Sequence, residues 1–157
     1  MLARFLGRAR RAAGVAGEVT VLVASSAALR SLNRQFRGQD HPTDVLSFPA
    51  QSPREKRERD GYLGDIAISA ELARRNGRLF GHGSAAEIKV LILHGLLHLA
   101  GYDHQSDSGA MARCELRLRR QLKLPHALTE RAGDKNSPSL NRRGVSSPAG
   151  ARRSRKR

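Results

Sequence analysis

The chain has no tryptophan, and its four phenylalanines and two tyrosines make aromatic residues only 4% of 157 positions. A core must therefore be packed mainly by aliphatic side chains, within an apolar share of 39%. That length suits one hydrophobic core rather than two. Cysteine occurs once, at Cys114, which excludes an internal disulfide and suits a reducing, cytosolic setting. No window approaches the roughly eighteen consecutive apolar residues that read as a membrane-spanning helix. Acids are also few: 14 Asp and Glu stand against 29 Lys and Arg, a formal net charge of +15. A field of that sign draws polyanions such as RNA, DNA or an anionic lipid surface.

The charge is uneven. From Arg131 to Arg157 nine Lys or Arg face one acid, Asp134, so this stretch carries +8 and leaves +7 for residues 1–130. The body is basic without its tail. Beyond Gly133 the sequence is mostly Ser, Pro, Gly, Asn and Arg, with almost nothing to bury, and is expected to be disordered. The expected organisation is one domain over residues 1–128 and a basic tail over 129–157. At the other end, Met1 to Gly17 is Arg-rich and acid-free, as transit peptides are. The plainer reading is an amphipathic helix with Leu2, Phe5 and Leu6 on one side and Arg4, Arg8 and Arg11 largely on the other.

Glu18 to Ala24 (EVTVLVA) has the β-branched, apolar character of a buried strand. Ser25 or Ser26 caps a following helix with Leu29, Leu32 and Phe36 at helical spacing, ended by Gly38. Thr43 to Phe48 reads as a short strand stopped by Pro49. Gln51 to Gly61, dense in charge and without an aliphatic side chain, reads as a solvated loop. Gly64 to Ser69 reads as a strand with Ile66 and Ile68 on one face. Ala70 to Asn76 reads as a short helix ended near Gly77. Ser84 and Glu87 form a capping box that opens an apolar helix from Ala85 to about Leu99. A last helix is expected over Ser106 to Leu124, with Met111, Leu116, Leu118 and Leu122 turned inward. The expected fold is α+β, an α/β sandwich in which a small mixed sheet packs with about five helices.

The informative segment is His94-Gly-Leu-Leu-His98-Leu-Ala-Gly101-Tyr-Asp-His104. Residues four apart on a helix share a face, so His94 and His98 can address one ion. Gly101 permits a positive-φ turn that brings His104 back to the same point, at the end of the HGLLH helix. Three neutral imidazoles with one position open is how proteins build a catalytic zinc site, at ligand distances of about 2.0–2.1 Å. Nickel or cobalt would also suit such a donor set. His41, His82 and His126 fall outside the pattern and are taken as surface residues. The spacing is that of metzincin peptidases, H-E-x-x-H-x-x-G-x-x-H, except that Gly95 stands where the peptidases carry their proton-transferring Glu.

This segment resembles the HGxLHLxGYDH hallmark of the YbeY family of single-strand endoribonucleases, bacterial rRNA maturation factors. Two further stretches resemble the same family: Leu32 to Pro49 (LNRQFRGQDHPTDVLSFP) and Leu63 to Ser69 (LGDIAIS). The likeness covers roughly residues 18–127. It implies a cytoplasmic, zinc-dependent endonuclease that acts on rRNA precursors or ribosomal particles, with no membrane partner. It also implies His94, His98 and His104 as ligands and Arg37 as a functional arginine. The family usually opens with an extra strand before its first helix and lacks an Arg-rich tail, so this chain departs at both ends.

Chemistry agrees with these roles. Zinc lowers the pKa of a bound water to about 7 and can polarise a phosphoryl oxygen. Arg37 offers a planar donor fork to a phosphate gaining charge, or else forms a structural ion pair with Asp40 or Asp44. Asp103 and Asp65 are candidates for orienting a ligand ring. Two other readings remain: a metzincin-like zinc endopeptidase, and a non-catalytic ribosome-assembly factor that holds zinc for stability.

Overall fold

The computed structural model describes residues 1–50, 61–103 and 108–125. Five helices and three strands occur among them: α1 (Leu2–Ala13), β1 (Glu18–Ala24), α2 (Ser26–Arg37), β2 (Val45–Pro49), β3 (Tyr62–Ser69), α3 (Ala70–Leu79), α4 (Ser84–Leu99) and α5 (Ala110–Leu122). All of the solvated loop expected over Gln51 to Gly61 except Gly61, together with His104, His126 and the basic tail, lies outside the described residues. None of the described helices is long and apolar enough to cross a membrane.

The sheet is mixed, as expected, in the order β1-β3-β2. Strand β1 runs parallel to β3, from Val19 beside Gly64 to Ala24 beside Ser69. Strand β2 runs antiparallel, from Val45 beside Ile68 to Pro49 beside Gly64. Pro49 therefore ends inside β2 rather than before it, and an edge strand tolerates a residue with no N–H to donate. Side-chain alternation sends Ile66 and Ile68 into the main core while Ala67 joins Leu29 and Leu46 in a smaller cluster under α2. The sheet thus lies between α2 and α4, while the N-terminus of α2 meets the start of α3 at the end of the sheet, where the Ser26 N–H donates to Glu71.

The N-terminal segment is the expected amphipathic helix. Phe5 and Ala9 of α1 are buried in the main core, with Leu2 and Leu6 packed against it, and Arg4, Arg8 and Arg11 are exposed. Helix α2 begins where Ser25 Oγ accepts from the Ala28 N–H and ends at Gly38 with φ 67°. Its periodicity overstates what is covered, since Leu29 is fully buried but Phe36 remains 55% exposed. The same holds for α5, where Met111, Leu118 and Leu122 turn inward while Leu116 stays open.

Two local expectations are corrected. Helix α3 runs through Gly77 to Leu79, because Gly77 packs against the next turn: a Cβ there would stand 2.8 Å from the His82 carbonyl. The capping box does not form. Gly83 is the N-cap of α4, with no side-chain cap bond. Glu87 is instead fully buried, its Oε2 2.5 Å from His82 Nε2. His82 is therefore no surface residue, with a side chain only 11% exposed. A buried carboxylate needs a partner, and the inward-pulled turn supplies one. His41 is exposed, as expected.

Candidate metal centre

Helix α4 is apolar because it is central. From Val90 to Leu99 every residue is buried except His94 and His98, which are half-buried. Their four-residue spacing places both on the one face of the helix that the core leaves open. The rings meet edge to face, with centroids 4.8 Å apart and planes at 74°. His94 Nε2 and His98 Nε2 lie 3.1 Å apart. Two nitrogens bound tetrahedrally to one ion at zinc–imidazole distances are separated by about 3.3–3.4 Å. The pair therefore fits a shared metal to within a few tenths of an ångström.

Past Leu99 the chain turns as the sequence predicts. Gly101 has φ 93°. Its N–H donates to the His98 carbonyl (3.0 Å), and the Tyr102 N–H donates to the Leu97 carbonyl (3.0 Å). This pair of bonds is the Schellman ending, and it reverses the chain at the histidine end of α4. Asp103 follows, exposed, at the edge of residues 104–107, which include His104. Among the described residues no group of three metal-capable side chains assembles, and the third expected ligand lies outside them.

His94 is met from α5 by a carboxylate that sequence reasoning missed, Glu115. Its Oε2 lies 3.0 Å from His94 Nδ1. Its Oε1 accepts from Arg119 Nε at 2.9 Å and from Arg119 Nη2, while Arg119 Nη1 donates to the Pro125 carbonyl at 3.2 Å. Burial pushes the Glu115 carboxyl up, but the hydrogen bond to His94 and the Arg119 guanidinium outweigh it and leave the group below its ordinary value. Asp65 is engaged elsewhere, its Oδ1 accepting the Tyr62 hydroxyl at 2.5 Å. It is next to Ile66 on β3, so alternation points it to the sheet face opposite α4.

Arg37 is the last residue of α2 and exposed. The expected ion-pair alternatives are not what its neighbours do. Asp40 is gripped by Arg30, Nε to Oδ1 at 2.8 Å and Nη2 to Oδ2 at 2.9 Å, and Asp44 accepts from Asn76. Buried Asn33 donates to the His41 carbonyl at 2.9 Å and fixes the turn that follows Arg37. Beside Arg37, the Phe36 ring packs on Phe48 of β2 at 5.1 Å. The next β2 residue inward, Ser47, donates from the sheet's other face to the Gly95 carbonyl at 3.3 Å. Edge strand β2 thus contacts both the end of α2 that carries Arg37, through Phe48, and the histidine helix, through Ser47.

Gly95 explains itself in the same packing. A Cβ there would stand 2.8 Å from Ile66 Cγ2 and 3.0 Å from Ser47 Oγ. The position after the first histidine faces the sheet.

Residues 2–122 match the family described as Endoribonuclease YbeY. A relative of that description from Koribacter versatilis is 54% identical over 130 residues, 83% of this chain and 81% of its own length. Another, from Solibacter usitatus, is 45% identical over 128 residues, 82% of each chain. The fold is also similar to the solution structure of TM1509 from Thermotoga maritima, with TM-score 0.54 and 26% identity across 93% of this chain and 89% of that one.

Proposed function

Since this chain belongs to the endoribonuclease YbeY family, we propose that it is a zinc-dependent single-strand endoribonuclease acting in rRNA maturation and ribosome quality control, in the cytoplasm. Its substrates are rRNA precursors or ribosomal particles. The observation that carries the metal reading is the 3.1 Å approach of His94 Nε2 and His98 Nε2 at the one open face of a buried helix. The third donor in this proposal is His104, three residues past Gly101 in the sequence. Bound there, zinc supplies a Lewis acid for a phosphoryl oxygen and makes water acidic enough to attack near neutral pH.

The chain's own residues do the rest. The net charge of +15 gathers the RNA backbone,. Arg37, exposed at the end of α2, offers its planar fork to the scissile phosphate as charge develops there. The Asn33 and Arg30–Asp40 contacts hold its turn rigid. Gly95 counts against the peptidase reading, since its position faces Ile66 and has no room for a proton-carrying Glu.

The test is cleavage of a structured RNA and of casein, side by side, with and without a chelator, while circular dichroism follows the fold. The proposal expects RNA cleavage that the chelator abolishes with folding retained, and no casein cleavage. Unfolding on chelation, with no RNA cleavage at any stage, would favour the assembly factor instead.

A further inference from the structure

We infer that Glu115, held by Arg119, is the positioning residue that fixes His94 with Nδ1 donating inward and Nε2 presented to the metal face. The inference rests on the reading of His94 as a ligand.

Glu115 and Arg119 are a turn apart on α5, at 0% and 2% side-chain exposure. Two buried charges are costly in a core packed otherwise by aliphatic residues. As a stability element alone, an apolar pair of similar volume would serve at least as well. What the pair adds is direction. An ionised carboxylate only accepts hydrogen bonds, so His94 Nδ1, 3.0 Å from Oε2, must be the donor. A neutral imidazole carries one N–H. With Nδ1 as donor, Nε2 keeps its lone pair, and Nε2 is the atom that converges on His98. Rotating the ring about its bond to Cβ would break the Glu115 contact, so the ligand is oriented before any ion arrives.

Arg119 makes the carboxylate itself immobile. It binds Oε1 through two nitrogens and leaves Oε2 for the histidine. Its third contact, to the Pro125 carbonyl, ties the end of α5 to the same chain of groups. Helix α5 is therefore the brace of the histidine face of α4.

The test uses the full chain in metal-free form, with three measurements: zinc titration against a chromophoric chelator, histidine 15N NMR at pH 8, and thermal melting. The variants are Glu115→Gln and the double variant Glu115→Leu with Arg119→Leu, which removes both charges together so that neither is left buried alone. Wild type is expected to show His94 in the Nδ1–H tautomer. The double variant is expected to fold, to mix the two tautomers and to bind zinc about 10- to 100-fold more weakly. Glu115→Gln, whose amide can accept or donate, is expected to fall between. A folded double variant with unchanged tautomer and unchanged zinc affinity would overturn the inference, and so would wild-type His94 in the Nε2–H tautomer, which needs no variant to fold. Wild type that takes up no zinc, yet loses its tautomer preference in the double variant, would sink the metal reading and leave the positioning role intact.

Discussion

Gly95 and Ile66 meet with no side chain between them, so the helix that bears the histidines lies directly on the central strand. An added Cβ would come 2.8 Å from Ile66 Cγ2, 3.1 Å from its Cδ1 and 3.0 Å from Ser47 Oγ. Ile66 is fully buried and has little room to yield. Overpacking of this kind costs about 1–3 kcal/mol, against about 1 kcal/mol of helix propensity that alanine gains over glycine. Gly95→Ala should therefore lower the melting temperature, and Gly95→Glu should fail to fold rather than yield a peptidase. A Gly95→Ala melt at or above wild type would show that the contact has slack.

Removing one histidine from the pair should remove the metal without removing the fold. His98 is half-buried at the open face of α4, so His98→Ala leaves no sealed cavity. Elemental analysis should read about one zinc per chain for wild type and a small fraction of that for the variant, with closely similar circular dichroism. Full occupancy in the variant would disqualify His98 as a ligand.

His82 should behave as a core residue and His41 as a surface one. Glu87 is fully buried, and His82 stands at its Oε2. Taking away one partner of a buried polar pair costs about 1–3 kcal/mol. His82→Ala should lose about that much in denaturant melts, whereas His41→Ala, exposed, should stay within about 0.5 kcal/mol of wild type. Equal effects would mean the His82 contact carries no stability.

What could be read from the sequence was what neighbouring residues decide among themselves. The EVTVLVA strand, the Ser25 cap, the Gly38 stop and the Gly101 turn depend on a few adjacent positions, and each stands where expected. The strand is not, however, the buried one its composition suggested: β1 is an edge strand in which only Val19 is buried and Leu22 and Val23 are exposed. Glu115 was hidden for the opposite reason. With Arg119 four residues on, it reads as an ordinary ion pair on a solvated helix face, and its partner His94 lies 21 residues upstream. Only the packing of α5 on α4 turns that face inward. Glu87 misled similarly: its spacing from Ser84 promised a cap, and the Gly77 contact with the following turn delivered His82 to it instead. Periodicity also named Phe36 and Leu116 as inward residues without showing where the neighbouring elements end.

Acid should weaken the joint between α2 and α3. Glu71 accepts from its own backbone N–H and from the Ser26 N–H at 2.8 Å, and these bonds hold its carboxyl below the ordinary value. A carboxyl depressed in the folded state adds stability that is complete above the unfolded value, about 4.3. That stability is lost as the pH falls below it through the lower folded value. Glu71→Gln should therefore melt below wild type at pH 7, with the difference closing toward pH 3. A gap that persists at pH 3 would assign the effect to packing rather than charge.

Arg37 should act on turnover and leave stability alone. It is exposed at the end of α2, and the acids nearest in sequence are occupied: Asp40 by Arg30 and Asp44 by Asn76. Substitution therefore breaks no ion pair among the described residues, and the turn stays held by Asn33. If the guanidinium meets the phosphate as charge develops, Arg37→Ala should lower single-turnover rates by roughly 10²–10³-fold, the scale of losing one preorganised donor. Arg37→Lys should recover part of that, since an ammonium keeps the charge but not the planar fork. Affinity for uncleaved RNA should fall much less, because many other basic side chains share the ground-state contacts. Melts and single-turnover rates on the same preparations separate the outcomes. A lowered melt with an unchanged rate per folded molecule would move Arg37 from the chemistry to the scaffold.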